Sequence, residues 1–163
     1  MTDQPAQPGE LTFTRVFEAP RELVFRCMIE PEHLTHFWGP SGVSTPLENI
    51  QVDLRPGGVF EAIMVNDADG SQYPMRVVYV EVAEPERLVW RDPDTGMTTT
   101  STFVDLGGAR TRVHIHQINA PEAFTSPQAQ AGFATSLDRY AAYLQVLTRD
   151  GQGVTGHGTR DGY

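Results

Sequence analysis

The sequence predicts a single α+β domain made of one strand, two short helices, an antiparallel meander and a long C-terminal helix. Three observations predict it. Short segments with strand character lie near the N-terminus and between residues 48 and 119. Pro20 and Pro31 each begin a short helical pattern, and an apolar stripe runs at helical spacing through the last part of the chain. We therefore expect one domain over residues 11–149, with flexible segments at 1–10 and 150–163.

The first elements are delimited by proline and glycine. Residues 11–18 alternate in apolar and polar character, as a half-buried strand does. Pro20 then begins a helix expected over residues 20–29, since proline is well accommodated in the first helical turn. Pro31 begins a second helix, which we expect to end near Phe37 because Gly39 can cap it and Pro40 disfavours helix in the residue before it.

The middle of the chain has the pattern of a meander, in which short turns join neighbouring antiparallel strands. The separators are rich in glycine, proline and aspartate, residues that favour tight turns. Sequential order is expected for the strands of the meander, and the first strand brings the total in the sheet to six to seven. The predicted segments are 48–54, 58–66, 72–83, 86–91, 97–106 and 110–119.

The last helix is predicted from Ser126-Pro127 to Arg149. Serine is a good N-cap and proline fits the first turn. Gly151, Gly153 and Gly156 imitate the glycine spacing of a dinucleotide-binding loop, but they follow a helix rather than a strand, so we interpret them as part of a flexible tail. The apolar stripe of this helix consists of Phe133, Leu137, Tyr140, Leu144 and Leu147.

Charge and cysteine content exclude several classes of protein. The net charge of -9 opposes nucleic acid and anionic membranes, which need clustered basic residues. No segment has the length and apolar character of a membrane span or a signal peptide, so we expect no membrane insertion. Cys27 is the single cysteine, and we expect it to be a small buried apolar group. A cytoplasmic location is expected, since one cysteine gives no intrachain disulfide.

No catalytic motif, metal site or cofactor site is predicted. His114 and His116 share one strand face, but Val113 and Ile115 take the opposite, core-facing parity, so we expect both histidines on the outer face. His33 lies three residues before His36 on the second helix, with no evident carboxylate or cysteine to complete a metal site, so we expect both on the surface.

Several short motifs together resemble a known family: the C-terminal domain family of the heat-shock-chaperone ATPase activator, in the START-like SRPBCC superfamily. The resemblance covers about residues 11–148, and Gly132-Phe133 departs from it because many relatives have tryptophan after this glycine. It implies a helix-grip fold, in which a curved antiparallel sheet surrounds the long C-terminal helix. The motifs are Arg15-x-Phe17-x-Ala19-Pro20, Pro31-Glu32-x-Leu34, Trp38-Gly39-Pro40, Asp53-x-Arg55-Pro56-Gly57-Gly58 and Glu84-Pro85-Glu86-Arg87-Leu88-Val89.

The resemblance also implies a cavity between sheet and helix, which would hold ~300–1,000 Å³ if it follows the usual range. We expect this cavity to bind a small hydrophobic or amphipathic molecule, oriented by the hydroxyl groups of Tyr79 and Tyr140 and by Thr99 or Ser101. The residues predicted to line it are Trp38, Phe60, Met64, Met75, Tyr79, Trp90, Phe103, Phe133, Leu137 and Tyr140.

Two other functions stay open. The first is a cyclase-like or aromatase-like enzyme that uses the same cavity, and its candidate ionisable residues are Arg15, Glu61 and Arg76. The second is binding to a heat-shock chaperone. We do not expect stimulation of its ATPase, because relatives with that role carry an additional N-terminal domain. An exposed edge strand would let two copies pair as a homodimer.

Overall fold

The computed structural model describes residues 9–154. Two single-turn 3-10 helices span Leu47–Asn49 and Glu122–Thr125. The remaining elements are β1 (Leu11–Phe17), α1 (Arg21–Ile29), α2 (Pro31–Leu34), β2 (Val43–Ser44), β3 (Ile50–Val52), β4 (Val59–Asn66), β5 (Gln72–Ala83), β6 (Arg87–Arg91), β7 (Thr98–Asp105), β8 (Thr111–Ile118) and α3 (Pro127–Val154).

One antiparallel sheet of eight strands forms the framework, in the order β1-β8-β7-β6-β5-β4-β2, with β3 also paired to β4. Strands β4 to β8 are neighbours in sequence and in space, which confirms the predicted meander. The predicted sequential order holds for these strands, and β1, for which no partner was predicted, pairs with β8. No hairpin follows β1, so this strand is free to pair with the far edge of the meander. Homodimer formation at a sheet edge stays a prediction.

The strand count of six to seven was too low by the short strand β2. This strand contains two residues, Val43 and Ser44, paired to the end of β4. Alternation needs at least four residues to be recognised, so the sequence offered no signal for it. The segment predicted as a strand over 48–54 is divided between a 3-10 turn and β3, since the backbone N–H of Asn49 donates to the carbonyl of Pro46 and closes a turn before the strand begins.

Helix α3 lies over the inner face of the sheet with its predicted stripe turned inward, and this is the helix-grip arrangement. Leu137, Tyr140 and Leu144 are buried. The ring of Phe133 contacts that of Phe13 at a centroid distance of 4.5 Å. The helix continues to Val154, beyond the predicted end at Arg149. Residues 9 and 10 of the predicted N-terminal flexible segment are described and lead into β1. The rest of the predicted flexible segments, residues 1–8 and 155–163, lies outside the described residues.

Helices α1 and α2 close one end of the space between sheet and α3. The α1 side chains of Val24, Phe25 and Cys27 are fully buried, and Phe25 packs edge-on against Phe103 of β7 at 5.0 Å. Helix α2 ends at Leu34, earlier than the predicted Phe37, and the chain continues in turns to Phe37.

The turn between β3 and β4 explains the predicted Asp53-to-Gly58 motif structurally. A Cβ atom on Gly58 would lie 2.0 Å from the carbonyl oxygen of Asp53, so only glycine fits there. Gly58 also accepts from the backbone of Tyr79, which joins the turn to β5. Asp53 and Arg55 form an ion pair in solvent at 2.9 Å, and such pairs contribute little to stability.

Candidate functional site

A cavity of about 1120 Å³ lies between the inner face of the sheet, the first half of α3 and the segment around Trp38. Sheet residues reach it because alternate side chains of each strand point to the same face. The strand register aligns Trp90 of β6 with Thr99 of β7, and Thr99 with Gln117 of β8. These three side chains form one row across the cavity floor.

Aromatic rings make up much of the cavity wall. The indole rings of Trp38 and Trp90 are 6.2 Å apart and nearly perpendicular. Both are only half-buried although they point inward, because the cavity leaves one side of each ring uncovered. On the opposite side, Phe133 of α3 and Phe13 of β1 pack together and complete the apolar wall.

The structure brings most of the predicted site residues together around this cavity. They come from three separate parts of the chain: the segment after α2, the meander and α3. Their contact with a ligand stays a prediction. The predicted residues that line the cavity are Trp38, Met64, Met75, Trp90, Phe133, Leu137 and Tyr140.

Phe60, Tyr79 and Phe103 were also predicted to reach the cavity, and the structure instead places them in the packed core. Phe60 is covered by Trp38 at 5.0 Å and by Trp90 at 5.6 Å, so these two indoles separate it from the open space. Tyr79 is stacked behind Phe60, and Phe103 is covered by α1. All three have the inward parity, but they lie where the interior is filled.

The two predicted tyrosine hydroxyls do not point freely into the cavity. Tyr140 contributes its ring to the wall, while its hydroxyl donates to the carbonyl of Val24 in α1. Burial strongly raises the pKa of Tyr140. The hydroxyl of Tyr79 is buried and has no hydrogen-bond partner within residues 9–154. Burial, with a smaller effect of Asp53, raises the pKa of Tyr79.

Polar groups reach the cavity instead from β7 and β8. Thr99 and Ser101, predicted as alternatives, are both in the lining, and Gln117 joins them. We call Thr99, Ser101 and Gln117 the polar strip. The amide nitrogen of Gln117 donates to the hydroxyl of Thr99 at 3.3 Å. Gln117 was not predicted, although it shares the parity of Val113 and Ile115 and is a polar residue on a buried face.

Arg139 of α3, also missed, holds the segment of residues 38–45, which we call the tryptophan loop. Its guanidinium donates to the carbonyls of Gly39, Pro40 and Val43 at 2.8, 3.0 and 3.2 Å. Gly39 has φ +100°, and a Cβ atom there would lie 2.6 Å from the side chain of Val43. The loop therefore keeps Trp38 at the cavity wall.

The three ionisable candidates for catalysis are all paired and in contact with solvent. Glu61 and Arg76 form an ion pair at 3.2 Å, and their side chains are 43% and 54% exposed. Arg15 pairs with the exposed Asp138 at 2.8 Å. Their contact with solvent differs from the secluded surroundings in which catalytic groups usually lie.

Cys27, His114 and His116 occupy the predicted environments, whereas His33 is partly buried rather than on the surface as predicted. Cys27 is fully buried, and burial raises its pKa to about 12, so its thiolate is scarce at neutral pH. His114 and His116 project from the outer sheet face, where they contact Thr14 and Glu10. Within residues 9–154, no three histidine, cysteine or acidic side chains are grouped closely enough to hold a metal ion.

His33 lies at the junction of α2 and α3. Its Nδ1 atom is 2.6 Å from the hydroxyl of Tyr143, and its Nε2 atom is 3.4 Å from Glu30. Partial burial lowers the pKa of His33 below its ordinary value of 6.5, and this outweighs the opposing effect of Glu30.

Among the helices of the described chain, none combines the length and apolar character that a membrane crossing requires.

Comparison with known proteins supports both the fold and the family. The family described as "Activator of Hsp90 ATPase homolog 1-like protein" matches residues 18–145. No curated protein matches the chain.

Solved structures are similar over nearly their whole length. A crystal structure from Chromobacterium violaceum is 28% identical, with a TM-score of 0.75 over 83% of this chain and 96% of that one. A crystal structure from Nitrosomonas europaea is 25% identical, with a TM-score of 0.73 over 86% and 96% of the two chains. The solution structure of an AHSA1-like protein from Aeromonas hydrophila is 23% identical, with a TM-score of 0.74 over 85% and 94%.

Proposed function

This chain belongs to the family of Activator of Hsp90 ATPase homolog 1-like proteins, and from that premise we propose that it binds a small hydrophobic or amphipathic molecule between its sheet and α3. One observation carries the proposal: the interior contains a cavity of about 1120 Å³ whose wall includes Trp38, Trp90 and Phe133. Protein interiors normally pack to near-crystal density, so an open space of this size supports the binding of a molecule there.

Burial of apolar surface supplies the binding free energy in this proposal. Each Å² of apolar surface removed from water contributes ~25 cal/mol, before the cost of immobilising the ligand is subtracted. Indole and phenyl rings offer large rigid surfaces for such burial. The ligand contacts proposed here are Trp38, Met64, Met75, Trp90, Phe133, Leu137 and Tyr140.

The exposed ion pairs of Arg15, Glu61 and Arg76 favour binding over catalysis. Glu61 and Arg76 lie in the cavity lining, but they are paired with each other, so the cyclase-like or aromatase-like alternative has no unpaired ionisable group among its candidates. Chaperone binding is supported only by the family description. A single buried cysteine and an acidic surface support the proposed cytoplasmic location.

Two experiments test the proposal. Native mass spectrometry of protein purified from its own host, followed by solvent extraction, should detect a carried apolar compound. Trp38 and Trp90 are the only tryptophans of the chain and both line the cavity, so titration with an apolar probe should change the intrinsic fluorescence saturably. Trp90→Phe assigns the change to one ring.

Gly132 offers a way to block the cavity without disturbing the core. It lies in the lining on α3, and a Cβ atom added there meets no atom within 4 Å. We expect Gly132→Leu to fill part of the space and weaken probe binding at least ~10-fold, while the fold is retained because glycine is a poor helix former. Ala131→Leu, at the neighbouring exposed position, is the matched control. Equal binding by both variants would contradict the proposed site.

A further inference from the structure

The polar strip indicates which class of molecule the cavity accepts, an inference that rests on the proposed function. Thr99, Ser101 and Gln117 are 5%, 5% and 8% exposed, so little of each is accessible. They lie together on the floor because Thr99 faces Gln117 across the ladder and Ser101 follows two residues later on the same face. Trp90 borders the strip on one side through its pairing with Thr99.

The strip retains hydrogen-bonding capacity after its internal bond is formed. Gln117 donates one amide proton to Thr99. Within residues 9–154, neither the Ser101 hydroxyl nor the carbonyl oxygen of the Gln117 side chain has a partner, yet neither is sealed off from the cavity. Buried polar groups without partners cost free energy, so a polar atom of a ligand at this position would be favourable.

The charges of the cavity oppose an anionic group at the strip. Among the described lining residues the only basic one is Arg76, and Glu61 neutralises it. Glu48, Asp92 and Asp94 add negative charge to the lining. A carboxylate or phosphate on the floor would lose its hydration without a cationic partner, which is strongly unfavourable. An ammonium group bound at the strip would also lose hydration, and the three strip residues offer it only neutral hydroxyl and carboxamide oxygens.

We propose that the ligand is an uncharged amphipathic molecule whose hydroxyl or carbonyl group binds the polar strip while its apolar body lies against Trp38, Trp90 and Phe133. Ser101 can donate to or accept from such a group. The Gln117 carboxamide offers one further donor and an acceptor, whichever way the amide is turned.

Three probes with the same alkyl chain test the class: decanol, decanoate and decylammonium, each titrated while tryptophan fluorescence is recorded at neutral pH. We expect decanol to bind at least ~10-fold more tightly than either charged probe. Thr99→Val and Ser101→Ala should each weaken decanol binding roughly twofold to tenfold, the equivalent of one neutral hydrogen bond.

Neighbouring residues on the same strand provide the controls. Thr100→Val makes the same chemical change on the outer face as Thr99→Val, and Thr102→Ala removes a hydroxyl together with a methyl group; both should leave decanol binding unchanged. The proposed ligand class would be overturned if decanoate or decylammonium bound as tightly as decanol. It would also be overturned if the Thr99 and Ser101 variants bound decanol as the Thr100 and Thr102 variants do. Either result would leave the proposal of hydrophobic binding intact. Failure of all three probes, together with an empty protein in native mass spectrometry, would instead refute the proposed function itself.

Discussion

Tyr79 and Tyr140 are two buried tyrosines with opposite hydrogen-bonding states. The Tyr140 hydroxyl donates to the carbonyl of Val24, whereas that of Tyr79 has no partner within the described chain. Tyr79→Phe removes only a desolvated hydroxyl, so we expect the free energy of unfolding to stay equal or rise by up to ~1 kcal/mol. Tyr140→Phe should cost ~1–3 kcal/mol, because a buried bond is lost. Urea denaturation measures both, and equal losses would contradict this assignment.

Strand alternation predicts the sheet face toward which an individual side chain points. Alternation places Phe60, Tyr79 and Phe103 on the inner face, and the structure confirms that orientation. Alternation does not predict whether an inward side chain reaches the cavity or is covered by other residues. That depends on Trp38 and α1, which are distant in sequence from the strands that they cover. Alternation also places Gln117 on the inner face of β8, so this polar residue of the cavity could have been predicted from the sequence.

At the scale of elements, the tryptophan loop depends on α3. Arg139→Gln removes guanidinium bonds to three loop carbonyls, so we expect faster amide hydrogen exchange over residues 39–45 and a loss of ~1–3 kcal/mol in the free energy of unfolding. In a Trp90→Phe background, acrylamide should quench Trp38 more strongly. Arg149→Gln, at an exposed position of the same helix, should change none of these quantities. Unchanged exchange in Arg139→Gln would show that the loop is held by other contacts.

Elements with strong local patterns were predictable and the tryptophan loop was not. The strands β4 to β8 follow from alternation and turn residues, and α3 follows from its apolar stripe. Arg139 carries no such signal, since an arginine on a helix normally faces solvent. Its contacts join residues nearly a hundred positions apart, and only the packing of α3 against the loop brings them together.

At the scale of the whole molecule, acid should weaken the fold through His33. Burial lowers the pKa of this residue, so the unfolded chain binds the proton more readily than the folded one. The contribution of neutral His33 is therefore present above pH 6.5, the ordinary value, and is lost as the pH falls below it.

Urea denaturation between about pH 7.5 and about pH 5 measures this effect. His33→Asn should lose less stability on acidification than the natural protein. His36→Asn, at a neighbouring exposed position, should follow the natural protein. A His33→Asn curve parallel to the natural one would show that acid acts elsewhere.

The cavity is a property of the whole molecule, and the residues alone predicted it only through a family resemblance. Composition and periodicity predict which faces are apolar, but they do not say whether the faces meet or stand apart. The open space depends on how α3, the sheet and the tryptophan loop are held at a distance from one another.

The pairing of β1 with β8 has a consequence for biosynthesis. Leu11 lies opposite Gln117, and Phe17 lies opposite Thr111, so the first strand of this sheet to be synthesised must wait for the last one before it can pair. Throughout that interval Phe13 and Phe17 have neither a neighbouring strand nor α3 to cover them. The sheet is therefore completed only after β8 has been synthesised, and the exposed apolar side chains of β1 must be protected from self-association until then.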